Sequence, residues 1–199
     1  MLTPVFHNPS LAPMELTILN AAINLAIRTS TDHISMTQIQ KAAGVSKASL
    51  YQYYASKLDI WAAILLEEDI ERAEDAQALV ASGDSEAWEG YFYRLTLHPA
   101  KLVVLQKMEQ ALRQENPDLP RYRDWLRQRR RFLSLMVQAA QRHGVDEQEA
   151  RQRVAMVWTA LEGWLRLYNE PDFRDFCSGR QVFAQSLAKQ FSQWVVINA

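Results

Sequence analysis

The apolar positions of this chain fall into short helical stripes near the N-terminus and longer ones further on. Between Ser35 and Lys57 (SMTQIQKAAGVSKASLYQYYASK) two brief stripes follow each other. At about 100° per residue, Ile39, Ala42 and Ala43 share one side of a first helix, and Leu50 and Tyr54 share one side of a second. Gly44 suits the positive φ that ends the first helix, Val45 fills the corner, and Ser46 caps the second by accepting a backbone N–H. This spacing predicts a helix-turn-helix with a turn of about three to four residues. Opposite Leu50 and Tyr54, the second helix turns Ala48 and Gln52 outward, flanked by Ser49 and Tyr51, with Lys47 and Tyr53 on the shoulders.

Ahead of this segment, residues 1–13 carry Pro4, Pro9 and Pro13 and almost no charge, and read as an irregular arm that is disordered or packed. A helix is expected from about Glu15 to Arg28, with Leu16, Leu19, Ile23 and Ala26 inward. A polar loop leads to Ser35, the expected cap of the next helix, and Lys57 opens a longer one. There Leu58, Trp61, Ile64 and Leu65 give way to the acidic Glu67, Glu68, Asp69, Glu71, Glu74 and Asp75. After Ser82–Gly83–Asp84, a helix from Ser85 to about His98 carries Trp88, Tyr91, Phe92 and Leu95. The next, Lys101 to Gln114, carries Leu102, Val103, Leu105, Met108 and Leu112. NPDLP at 116–120 interrupts, because each proline disfavours helix in the residue before it. Pro120 to about His143 follows with Trp125, Leu126, Phe132, Leu133, Met136, Val137 and Ala140, and Gly144 suits its end. Asp146 caps a helix over about 147–169, in which Val154, Trp158, Leu161, Leu165 and Tyr168 repeat at coiled-coil spacing. Past Pro171 and Gly179, a last helix over about 180–197 carries Phe183, Leu187, Phe191 and Trp194. Strand-like alternation and glycine are both scarce, so the class is all-α.

The outward face of the second short helix has the chemistry of a DNA major-groove reader. Glutamine pairs bidentately with adenine, serine with several bases, and an alanine methyl meets a thymine methyl. Lys47, Tyr51, Tyr53 and Lys57 carry the donors that phosphates accept. Ser35 and Thr37 stand at a helix N-terminus whose free N–H groups suit a phosphate. An ordinary helical hairpin with a solvated outer face is the alternative.

From Ile18 to Trp61 the sequence resembles, without a gap, the N-terminal DNA-binding domain of TetR/AcrR-type transcriptional regulators. ILNAAINLAI resembles that family's first helix; MTQIQKAAGVSKASLYQYYASK resembles its second and third helices and the start of its fourth. The resemblance implies a three-helix DNA-binding domain over 14–60, joined to a helical effector-binding and dimerisation domain over 61–199. It further implies a homodimer on a double-stranded palindromic operator, acting as a repressor that a small, largely apolar effector releases. Four positions depart from the family pattern. Ala26 replaces a large aromatic, Ser30 a glycine, Tyr53 a histidine and Ala55 a proline. The missing aromatic leaves a gap for Val5 or Phe6 to fill by folding back. Arms of this family can touch the minor groove, but this one has no Arg or Lys.

By the same resemblance, Trp158, Leu161, Leu165, Phe183, Leu187, Phe191 and Trp194 pair with those of a second subunit; a purely intramolecular core is the alternative. Trp88, Phe92, Met108, Trp125, Phe132, Met136 and Trp158 have the usual composition of a small-molecule site. Stripes like these are more often plain core, and the resemblance is what points to an effector pocket.

Charge and composition narrow the partners. The chain carries a formal net charge of −1 and is 48% hydrophobic. Residues 1–60 hold four Lys/Arg (Arg28, Lys41, Lys47, Lys57) against three acids (Glu15, Asp32, Asp59). Counterion-driven affinity of one subunit for DNA is therefore modest, and tight binding needs two copies. The longest apolar run, IWAAILL at 60–66, is too short to cross a bilayer, and no signal peptide opens the chain, so a cytoplasmic location without membrane contact is expected. The single Cys177 rules out an internal disulfide. His7, His33, His98 and His143 have no metal-ligand spacing, and neither a phosphate loop nor a nucleophile motif is present. No enzyme activity, metal or cofactor is expected. The tract RYRDWLRQRRR (Arg121–Arg131) holds six arginines and one acid. A solvated face opposite the acidic stretch after Leu65 is its simplest reading, with an anion site or nucleic-acid contact as alternatives.

Overall fold

In a computed structural model of the chain, the residues described are 6, 8–29, 31–168, 170–176 and 180–196. Val5, His7, Ser30, Cys177 and Gly179, singled out above, lie outside them. Among the described residues the regular elements are all helical: α1 (Pro13–Arg28), α2 (Met36–Ala43), α3 (Lys47–Tyr53), α4 (Lys57–Ser82), α5 (Ser85–Leu97), α6 (Pro99–Glu115), α7 (Pro120–Gln141), α8 (Glu147–Leu167), α9 (Pro171–Phe176) and α10 (Arg180–Val196), with a 3-10 turn at Thr31–His33. The short α9 occupies a stretch expected to be a break. The chain forms two compact units, Met1–Ile70 with Val104–Arg129, and Glu71–Val103 with Arg130–Ala199.

In the first unit, Ile18, Leu19, Ile23 and Ala26 of α1 are buried, as are Ile39, Leu50, Tyr54, Trp61 and Ile64. Ala42, expected to face inward, is exposed, while Ala43 is half-buried. Ala43 stands about 40° around the helix from Ile39, and Ala42 about 60° on the other side; burial follows the nearer residue. Phe6 packs onto α1: it is buried, its N–H donates to Asn20 Oδ1 (2.9 Å), and its carbonyl accepts from Asn20 Nδ2 (3.3 Å). Asn8 Nδ2 donates to Glu67 Oε2 at 2.6 Å. The arm is thus packed at both positions.

The acidic stretch of α4 is not a solvated face where it begins. Glu67, Glu68 and Asp69 are all buried. Burial raises the Glu67 carboxyl above the ordinary range, the Asn8 bond works against this, and nearby Glu15 adds to it. Asp69 has its cation in Arg129 (Nε to Oδ2, 2.6 Å), so the arginine tract does meet the acidic stretch, but in the interior. A buried charge is tolerated only where a partner and hydrogen bonds replace water. At the exposed end of the tract the pairs are local, Arg123 with Asp118 and Arg127 with Asp124, and exposed pairs of this kind contribute little.

In the second unit, Asp84 caps α5 by accepting from Glu86 N–H (2.9 Å), and Asp146 caps α8 by accepting from Glu149 N–H (2.8 Å). Gly144 takes φ +84 beyond the end of α7. Trp88, Tyr91 and Phe92 of α5 are buried, and Phe92 meets Phe191 of α10 edge to face at 5.4 Å. Phe132 of α7 packs against Trp158 of α8, 5.5 Å between centroids. Leu133, one of the apolar residues of α7, is exposed.

His143 follows α7 and accepts a hydrogen bond from Trp88 Nε1–H through Nε2 (3.1 Å), which requires a neutral ring. Burial first, then the charges of Arg153 and Arg142, hold its pKa below the ordinary value, against the pull of Asp84. The native state thus resists a proton that the unfolded chain accepts. Its contribution is complete above the unfolded histidine pKa of about 6.5 and is lost as pH falls below that, towards the lower folded pKa. His143→Gln keeps an acceptor but does not titrate. On acidification from about pH 7 to 5, the melting temperature of the wild type should fall further than that of His143→Gln. Equal falls in the two proteins would remove His143 from the account.

Candidate nucleic-acid interface

The helix-turn-helix is set by local chemistry. Ser35 Oγ accepts the Gln38 N–H (3.3 Å), and Gln38 Oε1 accepts the Ser35 N–H in return (2.8 Å), a reciprocal cap on α2. Gly44 has φ +67; its N–H reaches the Lys41 carbonyl (3.2 Å) and the Val45 N–H reaches that of Gln40 (3.3 Å). That pairing closes a helix whose next residue is left-handed. Gln40 Nε2 then donates to the Val45 carbonyl at 2.5 Å, and Val45 is buried in the corner. Ser46 Oγ accepts the Ser49 N–H at 3.0 Å and starts α3.

With Leu50 and Tyr54 buried, the remaining face of α3 is presented outward. Lys47, Ala48, Tyr51 and Gln52 are exposed, and Ser49 and Tyr53 are half-buried. Tyr51 keeps 47% of its surface accessible. The Lys47 ammonium lies 5.9 Å from the centre of its ring, within cation–π range. Ser35 and Thr37 are exposed at the start of α2. Lys57 is half-buried and donates to the Thr31 carbonyl (3.4 Å); an ammonium has three donors, so this bond does not exhaust it.

One residue near this face was named from the sequence only as the start of the arginine tract, without its partners. Arg121, at the start of α7, directs Nη1 to both oxygens of Asp59 (3.3 and 3.2 Å) and Nη2 to Glu15 Oε1 (3.5 Å). Its guanidinium lies 4.8 Å from the ring centre of Tyr54, the residue that ends α3. Burial, then the Glu15 carboxylate, pushes the Tyr54 phenol above its ordinary range, so the phenol stays neutral. No periodicity signals a contact 62 positions away.

The candidate effector residues are distributed between the units. Met108 and Trp125 belong to the first; Trp88, Phe92, Phe132, Met136 and Trp158 belong to the second. All but Trp158, which is half-buried, are fully buried. The second unit has a cleft of about 220 Å³ lined by Tyr93, Thr96, Leu97, Pro99, Trp164, Tyr168 and Ala184, none of them in that set. Of the candidate dimer residues, Leu161, Leu165 and Phe191 are already buried by their own chain. Trp194 is exposed, and Trp158, Phe183 and Leu187 are half-buried. Met156, Leu167 and Val182, exposed on α8 and α10, were not among the candidates.

Residues 18–64 match the family model described as bacterial regulatory proteins, tetR family, a span that coincides with the resemblance read from Ile18 to Trp61. No curated protein matches the chain. Among solved structures it is similar to the TetR-family transcriptional regulator PfmR from Thermus thermophilus (18% identity, 90% of this chain and 96% of that one, TM-score 0.65). It is also similar to the fatty acid degradation regulator FadR from Bacillus halodurans (16% identity, 94% and 96%, TM-score 0.66). A third is a TetR transcriptional regulator from Rhodococcus sp. RHA1 (18% identity, 93% and 96%, TM-score 0.56). The chain therefore has the fold of TetR-family transcriptional regulators, with a family-matched DNA-binding segment at its N-terminus.

Proposed function

We propose that the protein is a homodimeric transcriptional repressor that reads a palindromic operator with α3 and is released by a small, largely apolar effector. The observation that carries this reading is the outward face of α3: Lys47, Ala48, Tyr51 and Gln52 are exposed on a helix anchored by Leu50 and by the Ser46 cap. Gln52 and Ala48 suit base edges, Lys47 and Tyr51 suit phosphates. Ser35, Thr37, Ser46, Ser49, Tyr53 and Lys57 complete the contact set. One such helix reads only a few base pairs, so a second copy at about 34 Å or a multiple supplies the specificity. The exposed Met156, Leu167, Val182 and Trp194 support a partner on α8 and α10. The effector is assigned to the second unit, where the cleft beside Trp164 carries aromatic side chains and no formal charge.

The test is selection of duplexes from a random-sequence pool by the purified protein, with its mass measured at micromolar concentration. A palindromic consensus bound by a dimer is expected. A monomer, or a pool that never enriches, would refute the reading.

A further inference from the structure

We propose that Arg121, far outside the helix-turn-helix in sequence, is a positioning residue for DNA reading, whose guanidinium fixes the angle at which α3 leaves the fold. The inference rests on α3 being the recognition helix. Asp59, nearly buried, accepts the Ala55 N–H through Oδ2 (3.0 Å), and its own N–H donates to Ser56 Oγ (3.2 Å). That carboxylate therefore shapes the turn between α3 and α4. Glu15 does the matching work at the start of α1, accepting the Ala12 N–H through Oε2 (3.3 Å). Both carboxylates converge beside the buried ring of Tyr54.

Without a cation the two negative charges repel each other where little water screens them. The guanidinium supplies that cation, and its planar face also covers Tyr54. One side chain thus ties the end of the reading helix to the starts of α1 and α4. The hydrogen bonds, ion pairs and ring contact of Arg121 go to Asp59, Glu15 and Tyr54, none of them on the exposed face of α3, so it acts through these partners and not on DNA.

The distinction can be measured with the duplex enriched by the wild type and a scrambled duplex of equal length. Arg121→Ala should weaken the enriched duplex by roughly tenfold or more, and the scrambled one by less than about twofold. The salt slope should stay unchanged, because no phosphate contact is lost. Arg121→Lys should fall between, since a point charge replaces a two-pronged, stacked one. If Arg121→Ala is unfolded at the assay temperature by circular dichroism, Arg121→Lys decides by the same criteria. Wild-type binding of both duplexes would overturn the proposal. So would equal losses on both with a slope smaller by about one per subunit, the mark of a direct phosphate contact. A wild type that enriches no duplex defeats the DNA-reading assignment, and this inference with it.

Discussion

Replacing Asp69 with alanine is expected to lower the free energy of unfolding by about 3–5 kcal/mol, the cost of leaving the other half of a buried ion pair uncompensated. Asp69 is fully buried and its Oδ2 receives both Arg129 Nε (2.6 Å) and Trp125 Nε1 (2.9 Å). Its carbonyl accepts from Gln128 Nε2 at 3.2 Å. Arg129 has a second anion in Glu109 (Nη1 to Oε2, 3.1 Å) and lies 5.4 Å from the Trp125 ring centre, and Arg113 lies 5.3 Å from the same ring. Removing the carboxylate strips the indole of its acceptor and leaves Arg129, 11% exposed, with one anion for company. Asp69→Asn keeps an acceptor for the indole and should lose less. A joint Asp69→Leu, Arg129→Leu change should recover part of the loss, because no lone charge remains. Urea denaturation decides: a loss for Asp69→Ala within the range of exposed pairs, about 1 kcal/mol or less, would mean that the site is wetter than its geometry indicates.

The second large effect concerns the outward face of α3. A base-reading side chain is worth about 1–3 kcal/mol per contact, and a two-fold symmetric complex counts it twice. Gln52→Ala should therefore cost the enriched duplex about 2–6 kcal/mol and relax the preference at the base pair it meets, while binding to scrambled DNA holds. Lys47→Ala should weaken both duplexes alike and flatten the salt dependence by about one unit per subunit. Tyr51→Ala removes the proposed phosphate donor and the ring beside Lys47, and should resemble Lys47→Ala. Neither helix content nor melting temperature should change much, since all three side chains are exposed. Anisotropy titrations in which Gln52→Ala and Lys47→Ala match the wild type would remove α3 as the reading element.

Much of the fold follows from neighbours along the chain. Ser35, Ser46 and Asp146 each cap the helix expected of them, since a cap needs only an acceptor within about three residues of a free N–H. Gly44 and Gly144 take positive φ where helices end, and NPDLP interrupts between α6 and α7. The same local logic put Leu50 and Tyr54 inside and Gln52 outside. It erred where two residues competed for one stripe, as with Ala42 and Ala43. It also missed α9, a six-residue helix with too short a pattern to read.

What the sequence by itself determined was the all-α class, the boundaries of the helix-turn-helix and the chemistry of its outward face, because these depend on helical period, caps and side-chain type within a few residues. What only the tertiary structure decided was which charges are interior and what they hold. Arg121 and Arg129 belong to one arginine-rich tract, yet one sits against Asp59 and Glu15 and the other against Asp69. Likewise, periodicity marks Phe191 and Trp194 as apolar, but only packing puts the first inside its own chain and leaves the second exposed. The physical reason is common to both. Hydrophobic spacing and charge type say that a residue needs a partner, and the partner's identity depends on chain segments far apart in sequence that only the folded backbone brings together.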